Sequence, residues 1–520
     1  MEFLIGDGKC GLEKAGMKAK SIMILGTASS VGKSVITAGL CRLFSNRGYR
    51  VAPFKAQNMS NNACVTSSGG EIGRAQAVQA ECARIEKSVD LNPILLKPAA
   101  DNRSQVIVLG KPVGHFTARE YYERLSELWP VVCGAYARLA QNYDVIIMEG
   151  AGSPAEINLK KHDVVNMKAA AMADAGCYLV GDIDRGGVFA ALVGTLALLE
   201  PADCSRIKGF IINKFRGDET LLEPGIQFLR QRTGVPVVGV LPYLKDLYID
   251  EEDAVSLENQ STGRIHATAG ELDIAVVALP RISNFTDFDI LAKEQGVCLR
   301  YVRRKETLGT PDLLIIPGTK STVADLAFLR RQGWCEKILE YVKNGGRILG
   351  ICGGYQMMGR IIRDTENIES EVREAEGLGF FDMVTEFSQE KILKQSVERV
   401  SADLFGSRVE GEIRAYEIHM GRTVYGQDYK TFGAVGRVDV TESLAGTYYH
   451  GLFDQVQFRL SFLRALAAAT GKNRAAACDN LTSPEFRDTH YERLSKMLEV
   501  HLDWESLQPV MSGEKSACAE

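Results

Sequence analysis

Short apolar runs alternate with longer stretches of helical periodicity along most of the chain. Continuous apolar strands separated by helices are typical of a parallel sheet that is covered on both faces. In the first half, six such runs predict buried strands, at residues 21–25, 51–54, 145–148, 177–180, 209–212 and 235–240. The pattern therefore predicts an α/β domain with a parallel sheet over residues 18–244.

A second α/β pattern follows a change in composition. Residues 245–271 are acidic and then polar and small, which is typical of a linker between domains. Apolar runs resume at residues 273–279 and 313–318 and again before Cys352, and shorter runs at 433–438 and 445–449 predict antiparallel additions. We therefore expect a second domain at residues 272–470, after the linker. Residues 1–17 are expected to form an N-terminal extension, and residues 471–520 C-terminal helices with a tail.

Composition and charge narrow the class of protein. The chain has 520 residues, too many for one core, and its 45% hydrophobic and 24% charged content is ordinary for a soluble protein. A net charge of -5 gives no support for nucleic-acid binding, and no window is apolar enough to span a membrane. The twelve cysteines show no zinc-binding spacing, and no secretory signal precedes the first strand. We expect a cytoplasmic protein with small-molecule partners, and homo-oligomerisation is left open.

A phosphate-binding loop lies between the first predicted strand and its helix. Glycines let backbone N–H groups surround a phosphate, and the following helix N-terminus favours its charge. Lys33 is expected to reach the β/γ-phosphates, and the Ser34 hydroxyl to face Mg²⁺. The loop is one residue longer than the common Gly-x4-Gly-Lys spacing, and its candidate nucleotide-binding residues are Gly26, Thr27, Gly32, Lys33 and Ser34.

Two charged residues follow neighbouring strands of the same predicted sheet. Glu149 ends the run at 145–148 and precedes a glycine turn, and Lys55 follows the run at 51–54. Both are expected at the ligand-binding edge, where the carboxyl ends of parallel strands meet. Glu149 is therefore a candidate Mg²⁺ ligand, and Lys55 could neutralise phosphate charge in a transition state. An ordinary glycine turn is the alternative for the segment after Glu149.

Cys352 stands on a corner between a predicted strand and a predicted helix, with Gly350 before it and Gly353 after it. Such a corner exposes the sulfur and aims the next backbone N–H groups at one point, as a nucleophile with an oxyanion hole requires. The alternative is a buried structural cysteine. Gly353, and Gly318 in the turn that ends another predicted strand, are the candidate oxyanion-hole residues.

A cysteine nucleophile needs a base, because a free thiol is mostly protonated at neutral pH. Two of the seven histidines are candidates. His450 follows a predicted strand and is expected at the same sheet edge as Cys352. Spacing favours it over His419, but does not exclude the latter.

Four further segments carry a resemblance to a known family. Together with the loop and the cysteine corner, they resemble the cobyric acid synthase family, and they lie at residues 54–60, 181–189, 280–288 and 416–421. The phosphate loop has the longer spacing of the dethiobiotin synthetase type of P-loop protein. The second half resembles class I glutamine amidotransferases, which implies a flavodoxin-like α/β fold.

The resemblance implies roles that spacing leaves open. It implies that Cys352 is the glutaminase nucleophile, that His450 is its base and that the loop binds ATP with Mg²⁺. Many class I amidotransferases follow the histidine with Pro-x-Glu, whereas here Gly451-Leu452-Phe453 follow it. A backbone carbonyl or Glu417 is therefore left to orient His450.

The implied reaction is the ATP- and glutamine-dependent amidation of the b, d, e and g carboxylates of adenosylcobyrinic acid a,c-diamide. Cobyrinic acid a,c-diamide synthase is the alternative. The segments at 181–189 and 280–288 favour the cobyric acid synthase family over it. A partitioning ATPase would carry a lysine early in the phosphate loop, where Ala28-Ser29-Ser30 stand. Ammonia is expected to pass between the domains. Residues 182–187 are the candidate for the substrate edge, and residues 284–289 are the candidate for the interface.

Overall fold

The computed structural model describes residues 19–99, 102–245, 247–249, 267–439, 441–472 and 484–507. The predicted N-terminal extension, most of the predicted linker and the tail from residue 508 lie outside these ranges.

The N-terminal domain is built from twelve strands and eight helices among the described residues. Its strands are β1 (Lys20–Gly26), β2 (Val51–Phe54), β3 (Gln57–Met59), β4 (Ala63–Val65), β5 (Glu71–Gly73), β6 (Ile94–Pro98), β7 (Arg103–Val108), β8 (Lys111–Thr117), β9 (Val145–Glu149), β10 (Gly176–Asp182), β11 (Ile207–Phe215) and β12 (Val237–Pro242). Its helices are α1 (Lys33–Asn46), α2 (Arg74–Cys82), α3 (Ala118–Glu123), α4 (Leu125–Asn142), α5 (Met167–Met172), α6 (Val188–Leu198), α7 (Pro201–Cys204) and α8 (Glu223–Thr233).

Six of these strands form one parallel sheet in the order β12-β11-β10-β1-β9-β2. All six predicted strands are present. Successive residues of β1 face opposite cores, with Met23 and Leu25 on one side and Ile22 and Ile24 on the other. Both faces are thus buried, which explains the continuous apolar run.

A second, smaller sheet inserted between β2 and β9 was not predicted. Its order is β3-β6-β7-β8, and the β4–β5 hairpin lies beside it as a separate pair. Several of these strands are three residues long and contain polar residues such as Gln57 and Asn58. Such segments carry neither the alternation nor the apolar run that marks a strand in sequence.

In the described part of the C-terminal domain there are eleven strands and five helices, and one further described helix follows the domain. The strands are β13 (Leu272–Val277), β14 (Val297–Val302), β15 (Leu313–Ile316), β16 (Ile348–Ile351), β17 (Ile361–Arg363), β18 (Glu374–Glu376), β19 (Met383–Leu404), β20 (Ser407–Tyr425), β21 (Lys430–Thr431), β22 (Gly436–Val438) and β23 (Leu444–Thr447). The helices are α9 (Asp289–Lys293), α10 (Thr322–Arg331), α11 (Trp334–Lys343), α12 (Gly353–Met357), α13 (Val456–Ala469) and, after the domain, α14 (Pro484–His501).

The main sheet of this domain has the order β14-β13-β15-β16-β23-β22-β21. Strands β14, β13, β15, β16 and β23 are parallel. Strands β22 and β21 add in antiparallel fashion. The antiparallel addition predicted at 433–438 is present as β22, at residues 436–438. The one predicted at 445–449 is only partly right, since β23 pairs in antiparallel fashion with β22 but in parallel with β16.

A long antiparallel hairpin, β19–β20, extends from this domain and was also not predicted. Its Tyr416 and Ile418 pack against Ala63, Val65 and other apolar residues of the N-terminal domain. The hairpin therefore forms part of the interface between the two domains.

Helix α14 returns to the N-terminal domain and packs on α1. A Cβ added at Gly39 would lie 2.4 Å from Cδ1 of Leu498, so the absence of a side chain there allows close approach. The Arg42 side chain, only 1% exposed, forms ion pairs with Asp488 and Glu492 at 2.7 and 3.2 Å. Across the described part of the chain, no helix combines the length and apolarity needed to cross a bilayer.

Candidate active sites

The phosphate loop adopts a compact turn between β1 and α1. Gly32 has φ 104°, in the left-handed region, and a Cβ there would lie 2.2 Å from Nδ2 of Asn213. Glycine meets both the conformational and the steric requirement. The Thr27 N–H donates to the Val180 carbonyl at 2.9 Å, and a Cβ on Gly26 would lie 2.7 Å from Cγ2 of Val31. The loop is thus held between β1 and β10, with α1 beginning at Lys33.

Lys33 joins the phosphate loop to the glycine turn after β9. Its Nζ donates to the Ala28 carbonyl at 2.9 Å and to the Gly152 carbonyl at 3.0 Å. The ammonium is therefore held across the mouth of the loop, where a bound phosphate chain would lie. The predicted position of Lys33 at this edge agrees with the structure.

Glu149 is buried beside the loop with three polar neighbours. Its Oε1 accepts from Ser34 Oγ at 2.8 Å and from Lys55 Nζ at 2.9 Å, and its Oε2 accepts from Gln79 Nε2 at 2.6 Å. Burial opposes ionisation, but Lys55 and these hydrogen bonds outweigh it and lower the pKa of Glu149. The structure thus brings Ser34, Lys55 and Glu149 together, as expected, and adds Gln79, for which the sequence gives no signal.

The donors at this position suit a small hard cation. The Ser34 hydroxyl and the Glu149 carboxylate are both oxygen donors, which Mg²⁺ prefers in combination with phosphate oxygens. In the described ranges, no cluster of three or more histidine, cysteine, aspartate or glutamate side chains is arranged for a metal. A cation held mainly by nucleotide phosphates needs no such cluster.

A large cleft opens at this sheet edge and includes the segment after β10. Lys214 Nζ donates to Asp182 Oδ2 at 2.7 Å and to the Ser30 carbonyl at 2.8 Å, which ties that segment to the phosphate loop. Asp182, Asp184 and Arg185, from the segment expected at the substrate edge, line this cleft beside the phosphate loop. Lys214 was not identified in the sequence.

Cys352 occupies the strained corner that the sequence predicts. Its backbone has φ 51° and ψ -110°, a combination that is costly for a residue with a side chain. The turn is tight, since a Cβ added at Gly354 would lie 2.0 Å from the Ile316 carbonyl oxygen. The expectation that the corner exposes the sulfur is wrong, because Cys352 is only 5% exposed. Its thiol donates to the Ile418 carbonyl at 3.5 Å, so β20 covers the nucleophile candidate.

His450 is oriented by an aspartate that the sequence analysis did not identify for this role. Its Nδ1 lies 2.6 Å from Oδ2 of Asp287, and the Gly451 N–H donates to Oδ1 of the same carboxylate at 2.9 Å. Glu417 instead lies 3.5 Å from Nε2 of His419. The suggestion that Glu417 orients His450 is therefore wrong. Asp287 lies within the segment 280–288, one of those that resemble the cobyric acid synthase family. Its place in that segment was the only hint in the sequence that it has a role at the site.

The electrostatics of His450 favour its protonated form. Burial alone would lower the pKa, but the Asp287 carboxylate and the nearby Cys352 outweigh it and raise the pKa of His450 to about 10. Asp287 occupies Nδ1, so Nε2 is the nitrogen left to interact with the Cys352 side chain, which also raises the pKa of His450. With Nδ1 held by the carboxylate, the His450 ring can carry the proton of the Cys352 thiol on Nε2 and return it to the reacting group.

The two candidate oxyanion-hole glycines lie against these residues. A Cβ added at Gly318 would lie 3.0 Å from Cε1 of His450, and one at Gly353 would lie 3.2 Å from the Thr319 nitrogen. A side chain at Gly353 would clash, and one at Gly318 would require a neighbour to shift. Their assignment as oxyanion donors stays a prediction.

A small cavity beside Cys352 is lined by both domains. Lys97 and Gln105 come from the N-terminal domain, and Lys391 comes from β19. The carboxylate of Glu71 lies 2.8 Å from Lys97 and also contacts Lys391. Burial lowers the pKa of Lys391 to about 8, and the two lysines outweigh burial to lower the pKa of Glu71 to about 2. The sequence gave no sign of this cross-domain cluster.

Cys352 and His450 follow the neighbouring parallel strands β16 and β23, and Asp287 reaches His450 from a turn after β13. Together with a P-loop domain, this arrangement is that of a two-domain glutamine amidotransferase. Residues 22–257 match the CobQ/CobB/MinD/ParA nucleotide binding domain. Residues 273–458 match the CobB/CobQ-like glutamine amidotransferase domain. The predicted fold class is thereby confirmed for both halves.

Similarity to individual proteins covers nearly the whole chain. It is 50% identical to a cobyric acid synthase of Sorangium cellulosum, with 94% of this chain and 98% of the relative aligned. It is 47% identical to a cobyric acid synthase of Pelotomaculum thermopropionicum, with 95% of this chain and 97% of the relative aligned. It is 46% identical to a cobyric acid synthase of Dehalococcoides mccartyi strain CBDB1, with 95% of this chain and 99% of the relative aligned. The chain belongs to the cobyric acid synthase family and is a glutamine-dependent amidotransferase.

Proposed function

We propose that this enzyme amidates the b, d, e and g carboxylates of adenosylcobyrinic acid a,c-diamide with ATP and glutamine, giving adenosylcobyric acid. The observation that carries the proposal is the pairing of two sites in one chain. Cys352, His450 and Asp287 suit glutamine hydrolysis, and Lys33, Ser34 and Glu149 suit phosphoryl transfer. The corrinoid substrate rests on the named relatives.

In the glutaminase half-reaction, Nε2 of His450 takes the thiol proton of Cys352, and the thiolate attacks the carboxamide carbon of glutamine. Backbone N–H groups near Gly318 and Gly353 stabilise the oxyanion. The imidazolium then protonates the leaving nitrogen, and ammonia departs from a thioester. Water, deprotonated by His450, hydrolyses the thioester to glutamate and restores the thiol. Asp287 holds the Nδ1 proton throughout and thereby keeps Nε2 facing the sulfur.

In the ligase half-reaction, a carboxylate of the corrinoid attacks the γ-phosphorus of ATP and forms an acyl phosphate with release of ADP. Ammonia then attacks the acyl carbon, phosphate leaves, and a proton is lost to give the amide. Lys33 neutralises charge on the phosphates, and Lys55 adds positive charge beside Glu149. Mg²⁺, which Ser34 and Glu149 would hold, supplies further charge neutralisation.

Ammonia made at Cys352 must reach the other site before water protonates it, because ammonium is not a nucleophile. The cavity beside Cys352 is lined partly by Lys97 and Gln105 of the N-terminal domain. Its position at the interface supports direct transfer between domains.

Cobyrinic acid a,c-diamide synthase is the alternative activity, since it requires the same two half-reactions. The two differ in which carboxylates are amidated. The reaction products separate them: four amides added to the a,c-diamide, or two added to cobyrinic acid.

The test is amidation followed by mass spectrometry, with ATP and Mg²⁺ and with either glutamine or free ammonia. Wild type is compared with Cys352→Ser and with the control Cys335→Ser, which changes a buried cysteine on α11. We expect four additions by wild type and by the control, and for Cys352→Ser only when ammonia is supplied. Glutamine hydrolysis without any amidation of the a,c-diamide would contradict the proposed substrate.

A further inference from the structure

One loop of the C-terminal domain contacts both the candidate oxyanion turn and the candidate base. Its Ile282 forms a bridge with Thr319, and its Ser283 N–H donates to the Gly318 carbonyl at 2.9 Å, so it supports the candidate oxyanion turn. Asp287, at the end of the same loop, holds His450. The conformation of this loop, residues 281–287, therefore determines the position of His450 relative to the turn at Gly318.

Asn284, in the middle of the loop, is fixed by the other domain. Its side chain is 3% exposed, and its Oδ1 accepts a hydrogen bond of 3.0 Å from the backbone N–H of Ala63 on β4. Its backbone is left-handed, with φ 52° and ψ 40°, which asparagine tolerates better than most residues. Its carbonyl accepts from the Asp287 N–H at 3.0 Å and so begins the 3-10 turn Phe285–Phe288.

A short hydrogen-bonded connection thus runs from the N-terminal domain to the candidate base. It passes from Ala63 to Asn284, through one turn of backbone to Asp287, and on to His450. All four residues are at most 5% exposed, so water does not compete freely for these groups.

The surrounding interface holds β4 in place. Ala63 and Val65 pack against Tyr416 and Ile418 of β20, and Gln395 Nε2 donates to the Val65 carbonyl at 2.6 Å. Strand β20 also reaches the site, since Tyr416 and His450 exchange backbone hydrogen bonds of 3.1 and 2.9 Å. The docked N-terminal domain is therefore in contact with both supports of His450.

We propose that docking of β4 positions the glutaminase base through the Ala63–Asn284 hydrogen bond, which couples glutamine hydrolysis to the assembled interface. This inference rests on the proposed function of Cys352 and His450. Asn284 is a positioning residue, since its hydrogen bonds run to Ala63 and to Asp287, through which it acts on His450. Ammonia would then be produced efficiently only where the ligase domain is in place to receive it.

The experiment uses the full chain and three variants. Asn284→Gly removes the acceptor but keeps a residue that adopts the left-handed conformation without strain. Asn284→Asp keeps an acceptor oxygen at the same place. Gln395→Ala is the matched control, because it removes another cross-domain hydrogen bond to β4 without touching the loop. Glutamate formation is measured over a range of glutamine concentrations and pH, and ammonia-dependent amidation is measured in parallel.

We expect Asn284→Gly to lower kcat for glutamine hydrolysis by about tenfold to a hundredfold, since small displacements of a catalytic group cost this much. KM and ammonia-dependent amidation should change less than about threefold. The alkaline limb of the kcat profile should move to lower pH, because His450 would be less firmly held against Asp287. Asn284→Asp and Gln395→Ala should stay within about threefold of wild type.

Glutamine hydrolysis by Asn284→Gly at the wild-type rate and with the wild-type pH profile would overturn the inference. Equal losses in Asn284→Gly and Gln395→Ala would also overturn it, since the interface as a whole would then be responsible. If Asn284→Gly does not fold, Asn284→Ser, whose hydroxyl is too short to reach Ala63 in the same way, decides by the same criteria. Absence of glutaminase activity in wild type would instead refute the proposed function.

Discussion

The carboxylate of Asp287 lies 2.6 Å from Nδ1 of His450, although 163 residues separate them in the chain. Both side chains are at most 5% exposed, so the interaction is poorly screened. The carboxylate orients the ring and stabilises its charged form, so Nε2 is the nitrogen left to exchange a proton with Cys352. The arrangement takes the place of the Pro-x-Glu carboxylate that many class I amidotransferases carry after the histidine.

Asp287→Asn tests this relationship. The amide keeps the size of the side chain but removes its charge and permits the wrong histidine tautomer. We expect kcat for glutamine hydrolysis to fall by about 10²-fold to 10⁴-fold, as loss of an orienting aspartate does in other triads. Ammonia-dependent amidation should remain. The pKa of His450, raised to about 10 in wild type, should fall toward its ordinary value, which NMR titration would detect.

The control for that prediction is Glu417→Gln. Glu417 is also buried, but its carboxylate lies 3.5 Å from Nε2 of His419. Its replacement should leave the pH dependence of hydrolysis unchanged. Equal losses for Glu417→Gln and Asp287→Asn would contradict a specific orienting role for Asp287.

How far the sequence alone predicts this molecule depends on how local each feature is. The strands of the N-terminal sheet carry continuous apolar runs because both faces of that sheet are buried, so they were predicted correctly. The phosphate loop and the Cys352 corner are each specified within a few residues by glycines at required positions. The Asp287–His450 pair, by contrast, depends on which strands lie side by side, which local pattern does not encode.

The missed elements share a physical reason. The β19–β20 hairpin and the β4–β5 pair obtain part of their burial from the opposite domain, as the packing of Ile418 on Ala63 shows. Polar residues such as Glu71 and Lys391 can be buried there because each neutralises the other across the interface. A sequence reading that treats the domains separately assigns such residues to the surface.

Glu149→Gln should separate the two half-reactions. We expect ammonia-dependent amidation to fall by at least about 10²-fold, because charge at the phosphoryl-transfer site is lost. Glutamine hydrolysis should stay near the wild-type rate. The substitution also leaves the Lys55 ammonium buried without its carboxylate, which should lower the free energy of unfolding of the N-terminal domain by about 3 kcal/mol.

A double-mutant cycle checks the ion pair between these residues. Lys55→Met alone should also destabilise, because it leaves Glu149 buried beside an apolar side chain. The double variant should lose less stability in urea unfolding than the sum of the single losses. Strict additivity would show that the two buried charges do not stabilise each other.

The carboxylate of Glu71, which contacts lysines of both domains, should make the free energy of unfolding fall at acidic pH. Its pKa is lowered from 4.5 to about 2 in the folded state, since Lys391 and Lys97 outweigh burial. A lowered folded pKa means that this stabilisation is present above pH 4.5 and is lost as pH falls toward 2. Glu71→Gln should therefore be less stable than wild type by about 3 kcal/mol at neutral pH. The difference should shrink as unfolding is followed from pH 6 down to about pH 3.

Glu374→Gln provides the comparison for Glu71. Glu374 is exposed and pairs with Arg363 at 3.0 Å on the surface, where ion pairs contribute little. Its replacement should leave the pH dependence of unfolding as in wild type. A difference between wild type and Glu71→Gln that stays constant from pH 6 to pH 3 would contradict the lowered pKa.

Gly318→Ala tests the space beside the base. The added methyl group would lie 3.0 Å from Cε1 of His450 and 3.4 Å from the Ser283 carbonyl oxygen, so either the imidazole or the turn must move. We expect kcat for glutamine hydrolysis to fall by about tenfold or more, since displacement of a catalytic group by a fraction of an ångström is costly. Gly194→Ala is the matched control, because a Cβ there meets nothing within 4 Å and Gly194 lies within α6. That variant should keep full activity and be slightly more stable to heat. Wild-type hydrolysis by Gly318→Ala would show that His450 does not need its present position, and would count against its assignment as the base.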